Sequence, residues 1–272
     1  MSSAAVAVPA RAPRVTQVRV LLSEWTKLRS LRSTRYSLLI ATVLTVGFSL
    51  LFAAITANRW SHMSPAEQAG RNPMEIALAG VNFSQLAIGV LGILVITGEY
   101  ATGMIRATMT AVPRRLPVLW AKTAVFAAVT FVLMVPSVLL GFWGSQAILN
   151  RHHILQISFS APGVARAVIG AALYLTVIGV FALALGAIIR STAGGISAFA
   201  GILFVLPPLM SVLPASWNDA ISPYLPSNAG RAILSITQDS GSLAPWTGLG
   251  LFAAYALVGI AIAAFLLVRR DA

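Results

Sequence analysis

The residue types that carry most enzymatic chemistry are scarce in this chain and poorly spaced for it. There is no cysteine, so disulfides, thiolate metal ligands and cysteine nucleophiles are excluded. The three histidines are His62, His152 and His153. Two adjacent rings on a loop seldom face the same ion, and a metal site needs further ligands. We therefore expect exposed, unliganded histidines and no metal site.

The sequence also lacks the common catalytic and nucleotide-binding motifs. It contains no G-x-x-x-x-G-K-[ST] loop, no H-E-x-x-H and no G-x-S-x-G. No two carboxylates share one apolar stretch, so intramembrane proteolysis lacks its functional groups. We expect a protein that is not an enzyme and that binds no cofactor of its own.

Six long apolar stretches dominate the remaining sequence. Of the 272 residues, 58% are hydrophobic and only 10% are charged. The stretches are 36–57, 76–97, 123–146, 167–189, 196–214 and 246–268, and none contains a charged residue. A helix of roughly 20 residues crosses a bilayer core. The sequence predicts an all-α, polytopic membrane protein with six transmembrane helices in one domain, 36–268.

The distribution of basic residues predicts the orientation. Fourteen of the 19 Lys and Arg residues flank the stretches on the side of the termini, and five lie on the opposite side. This positive-inside bias predicts that both termini are cytoplasmic. The predicted C-terminal cytoplasmic tail is 269–272. The net charge of +12 then reflects topology and contact with the lipid bilayer, and no nucleic acid is expected as a partner.

The amino-terminal segment divides into two parts. Residues 1–14 are expected to be a disordered tail. Residues 15–35 show a helical period with an apolar face composed of Val15, Val18, Leu21, Leu22, Trp25 and Leu28. Val20 breaks this pattern. The favoured interpretation is an amphipathic helix at the membrane interface, with Trp25, Lys27 and Arg29 as anchors; the alternative is a solvated helix that leads into the first span.

Polar, small and proline residues inside the spans predict features of helix packing. Asn82 and Gln85 share a face of the second span and either bond to other helices or line a substrate pathway. Thr42, Thr45 and Ser49 share a face of the first span, and they too either bond to other helices or line a substrate pathway. Pro136 lies in span three, and Pro207-Pro208 predict a kinked fifth span packed inside the bundle. Small residues at 179, 182 and 186, and at 259 and 263, favour close helix contacts.

Two of the loops on the side away from the termini contain sequence patterns that are compatible with short helices. Ser64-Pro65-Ala66-Glu67 has the pattern of a capping box and predicts a short surface helix. The long segment 215–245 leaves two interpretations open. Its part 229–237 forms a short or re-entrant helix, or the whole segment is an ordinary extracellular loop.

Two segments on the side of the termini are GEYATGMIRATM at 98–109, continuing to VPRR at 112–115, and SEWTKLRS at 23–30. Both resemble the corresponding segments of ABC-2 type transporter permeases of the actinobacterial drug-export branch. The resemblance implies a coupling helix in the first cytoplasmic loop that docks on a separate ABC ATP-binding subunit. The residues that it implies as partner contacts are Glu99, Tyr100, Arg106, Arg114 and Arg115. Glu99 is expected to orient the turn into that helix or to pair with a nearby Arg.

The resemblance further implies a permease in a bacterial plasma membrane, paired with a second copy or a similar permease. ATP would be bound by the partner subunit. The expected function is ATP-driven export of a hydrophobic or amphipathic compound. The alternatives are a non-transporting scaffold or sensor subunit and a membrane enzyme.

Overall fold

The computed structural model describes residues 16–103, 115–237 and 241–269, and every regular element in these ranges is helical. The α-helices are α1 Gln17–Ser30, α2 Arg32–Arg59, α3 Pro65–Ala69, α4 Pro73–Ala77, α5 Ala79–Ala101, α6 Arg115–Arg151, α7 Val164–Ile189, α8 Thr192–Ala200, α9 Leu206–Met210, α10 Ala215–Ile221, α11 Pro226–Arg231 and α12 Pro245–Arg269. Three 3-10 turns, Trp60–His62, Ser222–Tyr224 and Ala232–Leu234, and a π-helical segment, Gly201–Val205, complete the set. The all-α prediction is confirmed.

Six helical stretches in the described part of the chain are long and apolar enough to cross a membrane, as predicted. They are Arg32–His62, Pro73–Ala101, Leu116–Arg151, Val164–Ile189, Thr192–Met210 and Pro245–Arg269. Five of these stretches contain the whole predicted span. The exception is the stretch Thr192–Met210, which ends before the predicted boundary at 214. The 37 residues of α6 extend about 55 Å, well beyond a hydrocarbon core of about 30 Å.

Helix α7 is the centre of the bundle. It packs against α5, α6 and α12, and both α5 and α6 also pack against α2. Most residues of α5 and α7 are buried within the chain, whereas α2, α12 and the fifth span are mainly peripheral. The apolar side chains exposed on the peripheral helices suit a hydrocarbon surrounding.

The fifth span is interrupted as its prolines predict, but the expectation that it packs inside the bundle is wrong. Only Gly195, Phe199 and Leu203 are buried, and their spacing of four forms a single stripe toward the other helices. Pro207 and Pro208 have no amide hydrogen to donate to the preceding turn. The turn before them widens instead, because the Leu206 amide donates to the Gly201 carbonyl five residues back.

Polar and small residues hold the central helices together. The Thr45 and Ser84 hydroxyl oxygens lie 2.5 Å apart between α2 and α5, so Thr45 forms an interhelical bond. A Cβ atom on Gly92 would clash with the Gly179 carbonyl of α7. Gly259 of α12 lies close to Ala184 of α7, as the small-residue spacing predicts.

The loops contain short helices at the two places where the sequence patterns are compatible with them. Ser64 caps α3 in a capping box with Glu67, as predicted. In the long segment 215–245, α11 and the turn after it form a short helical unit that packs against α7 and α12. Gly230 contacts Tyr174 and Phe252 closely. The segment therefore contains a short buried helix, which begins at 226 rather than 229.

Candidate functional site

The described residues of the two segments quoted above, 23–30 and 98–103, lie at one end of the bundle, here called the terminal end. An even number of crossings returns the chain to this end, where α1, the end of α5, the start of α6, the α7–α8 turn and the end of α12 lie together. The Arg190 guanidinium in the α7–α8 turn donates to the Leu266 carbonyl of α12 at 3.4 Å. We call the other end of the bundle the opposite end.

Helix α1 packs against α6 through a face that shares only Leu28 with the predicted apolar face. Its buried residues are Val20, Glu24 and Leu28, which recur every four positions. Val20, which breaks the predicted amphipathic pattern, packs against Val118 and Ala121 of α6. The helix thus has a protein-facing stripe in addition to the exposed apolar side chains, of which Trp25 is 46% exposed.

The helix also ends earlier than the predicted interfacial segment 15–35. It stops at Ser30, and Leu31 has an extended backbone before α2 begins at Arg32. Residues 32–35 therefore belong to the first candidate span. The break at Leu31 lets α1 turn away from the direction of α2.

Four charged side chains form a buried ion cluster between α1, α5 and α6. The Lys122 ammonium lies 2.6 Å from Glu24 Oε2 and 2.8 Å from Glu99 Oε1. The Lys27 ammonium lies 2.7 Å from Glu24 Oε1 and 3.0 Å from Glu99 Oε1. Each lysine contacts both glutamates. The formal charges of the ion cluster (Glu24, Lys27, Glu99 and Lys122) cancel, because it contains two acids and two bases.

Most of the ion cluster is removed from solvent. The side chains of Glu24, Lys122 and Glu99 are 2%, 4% and 6% exposed, and only Lys27 reaches the surface at 27%. Burial opposes the charge on Lys27, but its ion pairs with Glu24 and Glu99 outweigh that effect and raise its pKa above the usual value. Removing one member of such a buried pair typically costs roughly 3–5 kcal/mol, because the other charge is left without compensation.

A second contact at the same end joins α5 to the α7–α8 turn. The Arg190 guanidinium carbon lies 5.1 Å from the centre of the Tyr100 ring, within range of a cation–π interaction. The Thr192 hydroxyl donates to the Thr97 hydroxyl at 2.9 Å. The end of α5 is therefore held from one side by the ion cluster and from the other by this turn.

The residues predicted as partner contacts differ in their burial and in their neighbours. Glu99 is buried and pairs with two lysines, so the prediction that it pairs with an Arg is wrong. Tyr100 is half-buried beside Arg190. Arg106 and Arg114 lie outside the described residues, and Arg115 is the first residue of α6.

The residues predicted as membrane anchors do not share one environment, and neither do the two residues predicted to line a pathway. Trp25 and Arg29 are exposed, whereas Lys27 belongs to the ion cluster. Gln85 is buried and accepts a hydrogen bond from the Tyr174 hydroxyl at 2.8 Å, so it bonds between helices. Asn82 is exposed to a cavity at the opposite end and accepts a hydrogen bond from Arg231.

Sequence reasoning missed Glu24 and Lys122. Glu24 lies midway between Val20 and Leu28 on the same helical face, and this position beside two apolar residues signals burial. Lys122 lies two turns inside α6, directly before the charge-free stretch 123–146, an environment in which a lysine needs a partner. The identity of that partner is not encoded locally, because Glu24 is 98 positions away.

Comparison with known proteins adds no further constraint. No protein-family model matches the chain, and no curated protein matches it significantly. Among the described residues, no group of three His, Asp or Glu side chains could hold a metal ion. The features of the described residues that bear on function are the six candidate spans and the ion cluster.

Proposed function

We propose that this chain is the permease subunit of an ATP-driven ABC-2 type exporter in a bacterial plasma membrane. The terminal end faces the cytoplasm, as the excess of basic residues there indicates. Helix α1 lies along the inner membrane interface with Trp25 in the headgroup layer. The exported compound is hydrophobic or amphipathic.

The observation that carries this proposal is the ion cluster. It joins the segment 23–30, which supplies Glu24 and Lys27, to Glu99 at the start of the segment 98–115. These are the two segments that resemble ABC-2 permeases, and Lys27 and Glu99 are 72 positions apart. This contact supports the proposal because it joins one residue of each segment, Lys27 and Glu99, in a single buried cluster.

The ion cluster is suited to transmitting force. Its members are buried, and separating them would expose uncompensated charges. A push on the segment that follows Glu99 therefore moves α1, α5 and α6 together. In the proposed mechanism a separate ATP-binding subunit docks on that segment, and its closure on ATP tilts these helices and alternates access.

The arrangement also changes the roles expected for the contact residues. Because Glu99 is buried, it acts as a positioning residue through its two lysines. Tyr100 has a similar role through Arg190. Arg106, Arg114 and Arg115 remain the candidates for direct charged contact with the ATP-binding subunit. Two copies of this chain, or this chain and a similar permease, would form the complete membrane unit.

The proposal is tested by purification and reconstitution with the ATP-binding partner. The chain alone is expected to show no ATP turnover, and the assembled complex is expected to hydrolyse ATP and move an amphipathic dye across vesicles. Robust hydrolysis by the isolated chain would contradict the proposal. A stable complex that never transports would instead indicate a scaffold or sensor subunit.

The role of the ion cluster is tested in the same vesicles with Glu99→Gln, which keeps the side-chain size and removes the charge. ATP turnover is expected to persist while transport falls roughly tenfold, equivalent to about 1.4 kcal/mol of lost coupling. Asp219→Asn is the matched control, since Asp219 is an exposed carboxylate in α10. Equal transport by the two variants would refute the role of Glu99.

A further inference from the structure

The opposite end of the bundle contains an open cavity of about 710 Å³. Its walls come from α2, from the residues around α4, from the start of α5 and from the segment 231–237. This volume lies within the range of about 300–1,000 Å³ found for small-molecule sites. The ion cluster at the terminal end shares no residue with it.

One wall of the cavity is apolar and aromatic. Phe52 and Phe83 both line it. Phe83 stacks on Phe48 with ring centres 3.8 Å apart, so its orientation is supported from behind. Leu78 and Ile236 extend the same apolar surface. This wall is suited to an alkyl chain or a ring.

The polar part of the cavity is cationic. Arg71 and Arg231 line it, and Glu75 is the one carboxylate among its lining residues. No carboxylate of the described residues lies within 4 Å of either guanidinium. The Arg231 guanidinium donates to Asn82 Oδ1 at 2.6 Å. That bond fixes the guanidinium while leaving other N–H donors unused.

Arg231 is also held in place through its backbone. It ends α11, which the preceding Gly230 packs closely against Tyr174 and Phe252. Ile233, two residues further on, is fully buried. The cation is thus placed in advance at the edge of an apolar wall, an arrangement that reduces the entropic cost of binding.

We propose that this cavity binds an anionic amphiphile, with its carboxylate or phosphate on Arg231 and its alkyl part against Phe52 and Phe83. A guanidinium presents two parallel N–H groups that match a carboxylate or phosphate. The inference deepens the proposed function by naming the class of compound, and it depends on that function only for the side of the membrane on which the site opens. Binding itself requires neither ATP nor a partner.

Binding is tested on the purified full-length chain in non-ionic detergent, with dodecanoate as the probe. The comparison ligands are dodecanol, which is neutral, and dodecyltrimethylammonium, which is cationic. Dodecanoate is expected to bind at least roughly tenfold more tightly than either, because a charge-assisted bond to Arg231 is lost in both. A diazirine-bearing fatty acid is expected to label the walls around Phe52 and Phe83. Equal binding of the three ligands, or labelling confined to other helices, would overturn the proposal.

Variants assign the affinity to the guanidinium. Arg231→Gln is expected to weaken dodecanoate binding roughly tenfold or more, and Arg231→Lys is expected to retain part of it. Arg151→Gln is the matched control, because Arg151 is an exposed arginine at the same end that does not line the cavity. Thermal unfolding of each variant verifies that the fold is kept. Identical affinities for the Arg231→Gln and Arg151→Gln proteins would contradict the site.

A competition experiment separates the two sources of such an anion. Displacement of dodecanoate by short-chain phosphatidylglycerol indicates a lipid headgroup as a ligand, and displacement only by other fatty acids indicates a free amphiphile. Either result supports the shared chemistry, whereas no displacement by any anion overturns it. Binding without export in the reconstituted complex would leave the site standing and refute only the transport proposal.

Discussion

At the scale of single residues, the ion cluster makes Glu99 a structural partner of Lys122. We expect Glu99→Ala to destabilise the protein by roughly 3–5 kcal/mol, since Lys122 and Lys27 would then share one carboxylate in a buried site. The measurement is thermal or denaturant-induced unfolding in detergent. The exposed Asp219→Ala serves as the control and is expected to change stability by about 0.5 kcal/mol or less.

The double variant Glu99→Ala/Lys122→Ala distinguishes a paired charge from simple loss of packing. It removes one positive and one negative charge and leaves the Glu24–Lys27 pair at 2.7 Å. We expect it to be more stable than the sum of the two single variants predicts, because no uncompensated charge remains. Strict additivity would show that Glu99 and Lys122 do not stabilise each other.

At the scale of elements, helix α5 packs closely against α7 because it lacks side chains where their backbones meet. A methyl group at Gly92 would clash with the Gly179 carbonyl, whereas one at Gly98 in the same helix would meet nothing within 4 Å. We expect Gly92→Ala to lower stability by roughly 1–3 kcal/mol through overpacking. Gly98→Ala is the matched control, and it is expected to be neutral or slightly stabilising, since alanine favours a helix. Equal unfolding temperatures for the two variants would contradict the close α5–α7 contact.

The elements themselves were largely predictable, whereas their contacts were not. Five of the six candidate spans contain the predicted ones because a charge-free stretch of about 20 residues is a local signal. The capping box at Ser64 is likewise local. The face of α1 that contacts α6 was missed because Val20 disagrees with the apolar stripe that the membrane would select. The pairing of Glu24 with Lys122 depends on how three helices meet, and no pattern within one helix encodes that geometry.

At the scale of the whole molecule, α5 connects the two regions to which we assign function. Glu99 lies at the terminal end and Asn82 at the opposite end, 17 residues or about 25 Å apart along one helix. Most of α5 is buried, and it packs against both α2 and α7. A displacement of the ion cluster would therefore reach the cavity through a rigid element. In the proposed mechanism, coupling between the two ends would pass along this helix.

The orientation of the whole molecule in the membrane gives the last prediction, and the absence of native cysteines makes it directly measurable. We expect single cysteines at Ser30 and Ser191, which are exposed at the terminal end, to react with a membrane-impermeant maleimide only after the cells are permeabilised. A cysteine at the exposed Ser61, at the opposite end, is expected to react in intact cells. Labelling of all three after permeabilisation is the control for reactivity. The reverse pattern would place the segment 98–115 outside the cell, where no ATP-binding subunit could dock on it.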